Sequence, residues 1–227
     1  MDLLLSIAVD GPAGAGKSTI AKIISQKFNL MYINTGAMYR AVALFAVRSN
    51  IRSEDIKSIE SLIVKLDMHF EGDKLIVNNE DVSEEIVSPE ISRIVSEYAA
   101  IKEVRLQLAE MQKSMALKYN VIMDGRDIGT VVLKDAFIKF FITASPEERA
   151  NRRFSELKAK GINVDYEVIL KDINDRDYYD THRKTDPLRM AEDAIILDTS
   201  NMNIQQVVET MCKYINDKIE KNSQVVN

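Results

Sequence analysis

Eight consecutive residues, Gly11-Pro12-Ala13-Gly14-Ala15-Gly16-Lys17-Ser18, match the pattern G-x-x-x-x-G-K-[ST]. The glycines let the backbone curl so that its N–H groups converge on phosphate oxygens at a helix N-terminus. Lys17 reaches the β- and γ-phosphates, the Ser18 hydroxyl ligates Mg²⁺, and Thr19 continues the nucleotide-binding stretch. Such a loop defines a donor nucleotide site but not a reaction, because GTPases, motor ATPases and small-molecule kinases share it. The chain has no Asn-Lys-x-Asp guanine-reading motif, which counts against a GTPase.

The arginines narrow the choice. Six of twelve lie between Arg149 and Arg189. Arg149, Arg152 and Arg153 stand at i, i+3 and i+4, and Arg176, Asp180 and Arg183 at i, i+4 and i+7, so each set is expected on one helical face. Two arginine faces joined by a turn containing Gly161 have the form of a lid. A phosphoryl group in flight spreads negative charge over its oxygens, and fixed guanidinium forks in a water-excluded site stabilise it. The competing reading has these arginines merely paired with Glu148, Glu156, Asp172 and Asp177 on solvated faces.

These residues need elements to hold them. Leu3 to Asp10 is almost continuously apolar, as in a strand buried on both faces of a parallel sheet; with Asp2 rather than a basic stretch before it, it reads as a strand and not a leader. A helix from about Lys17 to Leu30 follows, then a strand at 31–33 and a helix to about Ser49. A helix over 55–66, a hairpin turning at Glu71-Gly72-Asp73-Lys74 and a helical stretch from Ser88 to about Lys118, broken near Ala100, make 51–100 read as an insertion. Further strands at 121–123 and 137–142 end at Asp124 and Thr143. Open α/β sheets bind ligands at such ends. Ser145-Pro146-Glu147-Glu148 is the signature of a capping box opening a helix to about Lys160. A helix spans 166–184, a strand 194–197, and a last helix carries the stripe Ile204, Val207, Val208, Met211, Cys212, Ile215, Ile219, with fraying expected from Lys221. The fold expected is α/β, a P-loop NTPase-type parallel sheet flanked by helices with an inserted subdomain and a helical lid.

Composition excludes other classes. Thirty Lys plus Arg against 35 Asp plus Glu leave a net charge of −5, without the basic footprint that nucleic acid or anionic lipid demands. No apolar stretch reaches the length of a membrane span. A single cysteine, Cys212, forbids an internal disulfide and a thiolate cage and is expected to be buried and structural; a cytoplasmic location fits it best. His69 is expected at the surface or in a structural role, and His182 has no assigned role.

The runs Asp10-Gly-Pro-x-Gly-Ala-Gly-Lys-Ser, Thr35-Gly-Ala-Met-Tyr39-Arg40, Asp124-Gly-Arg-Asp127-Ile-Gly-Thr130 and Glu148-Arg149-Ala-x-Arg152-Arg153 together resemble the bacterial cytidylate kinases, over about residues 5 to 215. The resemblance implies a nucleoside monophosphate kinase, with a core (about 1–50, 101–148 and 188–227), a monophosphate-binding insert (about 51–100) and a lid (about 149–187). It places Arg40, Arg126 and Arg183 on the acceptor phosphate, Ser96, Arg105 and Asp127 on the cytosine, and Arg176 and Asp180, with Thr35, on the sugar hydroxyls. Lys17, Arg126, Arg149, Arg153 and Arg183 then act on the transferring group and Arg152 on the donor nucleotide. The rationale at Asp127 is that cytosine's 4-amino group donates to a carboxylate, whereas uracil presents an acceptor there. Tyr39 either packs on the acceptor or is a core tyrosine, and Asp124 either orients a magnesium-bound water or is structural.

The expected activity is phosphorylation of CMP and dCMP by Mg-ATP, with small-molecule partners only and a monomeric chain. The rivals are a kinase on the same scaffold acting on UMP, AMP or a hydroxylated metabolite, and a regulatory P-loop ATPase.

Overall fold

The computed structural model describes residues 4–225. Its first strand, β1 (Ser6–Asp10), is followed by α1 (Lys17–Phe28), β2 (Met31–Asn34) and α2 (Thr35–Arg48). Next come α3 (Ile56–Ile63), the strands β3 (Met68–Glu71), β4 (Lys74–Val77) and β5 (Glu80–Asp81), a 3₁₀ turn at Glu85–Val87, α4 (Pro89–Ala99) and α5 (Lys102–Ala116). The chain then returns through β6 (Val121–Gly125), a π-helical turn at Ile128–Val132, β7 (Ile138–Thr143), α6 (Pro146–Ala159), α7 (Tyr166–His182), β8 (Ile195–Asp198) and α8 (Ile204–Val225).

The main sheet runs β2-β6-β1-β7-β8 with every pairing parallel. This is the α/β fold expected from the sequence. Registers Asn34↔Asp124, Asp10↔Gly125 and Thr143↔Asp198 bring the strands' C-terminal ends to one edge. Because β6 and β7 flank β1 on opposite sides, the loop after β1 opens where strand order reverses, the usual ligand crevice of such sheets.

Side-chain alternation gives each face its own core. Ile7 and Val9, with Ile122, Phe140 and Ile142, face α1 and α8, while Ala8, Ile33, Val121 and Met123 face α2, α4 and α5 and the small sheet β3-β4-β5. A third, smaller cluster, Ala150, Ile169 and Ile173, holds α6 against α7.

Several boundaries differ from expectation, each for a local reason. Leu3 lies outside the described residues. Asn78 and Asn79, both at positive φ, reverse the chain into β5. The capping box at Ser145 is half formed: Ser145 Oγ accepts from Glu148 N (3.2 Å), but Ser200 Oγ takes the Ser145 N–H and Arg152 takes the Glu148 carboxylate. α7 stops at His182 because Arg183 turns extended and binds the Asp186 carbonyl (2.8 and 2.5 Å), so Arg183 leaves the helical face predicted for it. On α8, Val207, Val208, Met211 and Ile215 are buried. Ile204 and Ile219 are exposed and Cys212, expected buried, is half-buried, while the helix continues past Lys221. His69 is half-buried on β3, its ring 3.4 Å from the Glu71 carboxylate.

Candidate functional site

The crevice begins with the loop from Gly11 to Ser18. At Gly11 (φ +145°) a Cβ would lie 1.9 Å from the Ile142 carbonyl oxygen, so the loop crosses β7 where no side chain fits. Gly16 caps α1 in the left-handed region (φ 84°) without a side-chain hydrogen bond, and no acidic residue stands in the first turn. That leaves first-turn amides and the positive end of the helix dipole turned toward the crevice. Lys17 is buried and donates to the Pro12 carbonyl at 2.7 Å. Burial, then the charge of Arg126, push its ammonium well below the lysine range, a strain that a phosphate anion would relieve.

Ser18 Oγ donates to Asp124 Oδ2 (2.7 Å), and the Tyr32 hydroxyl donates to Asp124 Oδ1 (2.9 Å). A hydroxyl and a carboxylate this close are hard oxygen donors of the kind Mg²⁺ takes alongside phosphates and waters. Among the described residues no group of three His, Cys, Asp or Glu forms a protein-only cage, which suits a cation shared with a nucleotide. Asp124 thus has a hydrogen-bonding role that fixes the Ser18 hydroxyl.

On the other side of Asp124 lies a concentration of guanidinium groups. Asn34 caps α2, and Thr35 Oγ1 donates to the Asp124 carbonyl (2.7 Å). Arg40 and Arg176 each bury an Nε with no hydrogen-bond partner among the described residues. Arg126, beside both, donates Nε to Asp180 Oδ2 at 2.7 Å. Burial and then Arg126 lower the pKa of Arg40, and the same causes bring Arg176 down to about 10. Burial opposes ionisation of Asp180, but Arg126, Arg176 and Arg183 outweigh it and hold its carboxyl below the usual range. Arg126 from the end of β6, with Arg176 on α7 and Arg183 at its C-terminal end, surround one buried carboxylate. An excess of guanidinium groups over carboxylates is the chemistry that suits an anion.

Beyond it, Asp127 pairs with Arg105 and lies 3.6 Å from Arg183. Arg105 also reaches the Ala99 carbonyl (3.0 Å) and Asp186 (3.1 Å), and its guanidinium sits 5.4 Å from the Tyr39 ring centroid. Ser96 is half-buried on α4, one turn before Ala99.

The α6 arginines sort by partner. Arg149, almost fully buried, donates to the Ala144 carbonyl (2.9 Å), to the Ala13 carbonyl of the phosphate loop (2.9 Å) and in two bonds to Asp177 (3.1 and 2.5 Å). It links the loop, α6 and α7. Arg152 joins Glu148 (2.9 Å) and Thr199 (3.2 and 2.5 Å), and Arg153 is exposed on Glu156 (3.0 Å). In this structure, therefore, carboxylates hold the α6 arginines: Arg152 and Arg153 pair with Glu148 and Glu156 as the competing reading had it, whereas the Arg149–Asp177 pair is buried rather than on a solvated face.

Sequence reasoning missed the cleft of about 490 Å³ beside the phosphate loop, lined by Pro12, Thr143, Ala144, Arg189, Met190 and Asp198 among others. Thr143 and Asp198 were legible as strand ends, but Arg189 and Met190 come from a loop with no motif.

Comparison with known proteins agrees with this geometry. A solved structure described as an uncharacterized protein from Eubacterium ventriosum shares the fold, at a TM-score of 0.53 and 13% identity, covering 93% of this chain and 98% of that one. A cytidylate kinase of Clostridium acetobutylicum is 61% identical over 215 residues, 95% of this chain and 99% of the relative. One of Clostridium perfringens is 59% identical with the same coverage. The family model for cytidylate kinase matches residues 7–217. A phosphate loop and a buried arginine cluster meeting at Asp124, within a chain matched almost end to end, make this protein a member of the cytidylate kinase family.

Proposed function

We propose that this chain transfers the γ-phosphoryl group of ATP to a phosphate oxygen of CMP or dCMP, giving CDP or dCDP. One observation carries the reading: Asp124 takes Ser18 of the phosphate loop on its carboxylate (2.7 Å) and Thr35 of the arginine-lined side on its carbonyl (2.7 Å), so two anion sites abut. Two nucleotides entering from opposite sides would meet there phosphate to phosphate. The acceptor oxygen is already ionised, so no general base is needed, and rate enhancement comes from alignment and charge stabilisation.

The donor nucleoside fits the cleft at Arg189 and Met190, with its phosphates on the amides of 11–18 and on Lys17. Ser18, with Asp124 behind it, would hold Mg²⁺, which supplies charge neutralisation on the donor phosphates. Arg40 and Arg126, with Arg183, hold the acceptor phosphate. Ser96, Arg105 and Asp127 read the base, with Tyr39 against Arg105, and Arg176, Asp180 and Thr35 serve the sugar side. Arg152 and Arg153 are reserved for the donor and the transferring group once their carboxylates release them. Arg149 acts from its place between loop and lid. Residues 51–100 form the acceptor-side insert and 149–187 the lid. No helix of the described residues is long and apolar enough to cross a membrane, and we read the chain as a cytoplasmic monomer acting on free nucleotides.

A coupled ADP-release assay across CMP, dCMP, UMP, AMP and no acceptor tests this. Release that depends on CMP or dCMP, with UMP and AMP weaker, is the expected result. ATP consumption at the same rate without any acceptor refutes it.

A further inference from the structure

β1 ends on a carboxylate that none of these roles uses. Asp10 is 4% exposed, lies in register between Gly125 of β6 and Phe141 of β7, and accepts two consecutive backbone N–H groups, from Ile128 (2.8 Å) and Gly129 (2.7 Å). Those amides open the π turn Ile128–Val132, and the residue before them is Asp127. Amides at the start of a helical turn have no partner within it. Here a side chain 118 residues away in sequence supplies one.

The turn is closely packed against its neighbours. A Cβ on Gly129 would lie 3.1 Å from Lys139 Cδ and 3.3 Å from Asp10 Oδ2. At its far side the Asp127 carbonyl accepts from Val131 N (2.9 Å) and the Ile128 carbonyl from Leu133 N (2.7 Å). Asp10 thus fixes the peptide immediately after Asp127, and with it the direction in which the Asp127 carboxylate leaves the chain toward Arg105 and Arg183. Burying an anion costs solvation that an apolar residue at the same place would not. Its hydrogen bonds go to these two amides, with Lys17 among its charged neighbours.

We propose that Asp10 is a positioning residue for acceptor selection: it holds the amides of Ile128 and Gly129 so that Asp127 points at the 4-position of the pyrimidine and separates a 4-amino from a 4-oxo base. The proposal rests on the reading of Asp127 given above. Its test is Asp10→Asn in the full chain, which sets an NH₂ group against an amide N–H. The expected result is a rise of about tenfold in KM for CMP and a fall of about tenfold in the kcat/KM preference for CMP over UMP, with KM for ATP within about twofold of wild type. An unchanged CMP:UMP preference overturns the proposal, as does a change confined to ATP. If Asp10→Asn does not fold, Gly129→Ala presses on the same contact from the other side and decides by the same ratio. Wild-type protein in the same assay separates the two levels: no CMP-dependent turnover removes the kinase reading itself, whereas selective wild type beside an equally selective variant removes only the role of Asp10.

Discussion

Arg126 lies where the two anion sites touch, donating to Asp180 and crowding Lys17, Arg40 and Arg176. Replacing it with Met removes charge from the point where it must be stabilised, and steady-state assays should show kcat falling by more than about a hundredfold while the circular dichroism spectrum stays that of wild type. Asp10 gives a pH prediction. Burial, the largest influence, raises its carboxyl from 3.8 to about 6, against the two amide bonds that lower it. With the folded-state pKa above the unfolded one, this group's contribution to stability is full below 3.8, declines as pH rises and is lost above about 6, a swing of about 3 kcal/mol. Urea unfolding at about pH 5 and about pH 7.5 checks it: the stability difference between wild type and Asp10→Asn should shift against wild type at the higher pH. Single residues were unevenly legible in the sequence. Lys17 and Ser18 follow from spacing alone, because the motif is contiguous. The use of Asp10 depends on amides more than a hundred positions away, and no local pattern signals it.

Among the elements, α6 and α7 are tied to the phosphate loop through Arg149, whose bonds run to Ala13, Ala144 and Asp177. Arg149→Met would leave Asp177 without its cation and the phosphate-loop carbonyl without its donor. Thermal unfolding should register a loss of about 3 kcal/mol, or a Tm lower by roughly 6–12 °C. An unchanged Tm would show that the link bears no weight. Long elements were readable because their apolar periods are long and their caps are chemical: Ser88-Pro89 and Ser145-Pro146 open α4 and α6 where expected. What sequence did not show were elements made by distant partners. The π turn exists against Asp10, the end of α7 is set by Arg183 folding back on Asp186, and the missing half of the Ser145 box is supplied by Ser200.

At the scale of the whole molecule, the alternation Ile7, Ala8, Val9 assigns one strand's side chains to two cores, and the buried apolar runs were enough to predict a parallel sheet with helices on both faces. The buried arginine cluster draws Arg40 from α2, Arg126 from the end of β6 and Arg176 from α7. Their convergence was legible only through resemblance to a family, since nothing in the spacing of 40, 126 and 176 announces proximity. Two buried guanidinium nitrogens in that cluster, on Arg40 and Arg176, have no hydrogen-bond acceptor among the described residues. The resting protein should therefore scavenge small tetrahedral oxyanions. Sulfate or inorganic phosphate should inhibit competitively toward the monophosphate, and a kinetic comparison of phosphate buffer with a zwitterionic buffer at equal ionic strength would expose that inhibition as a higher apparent KM in the former.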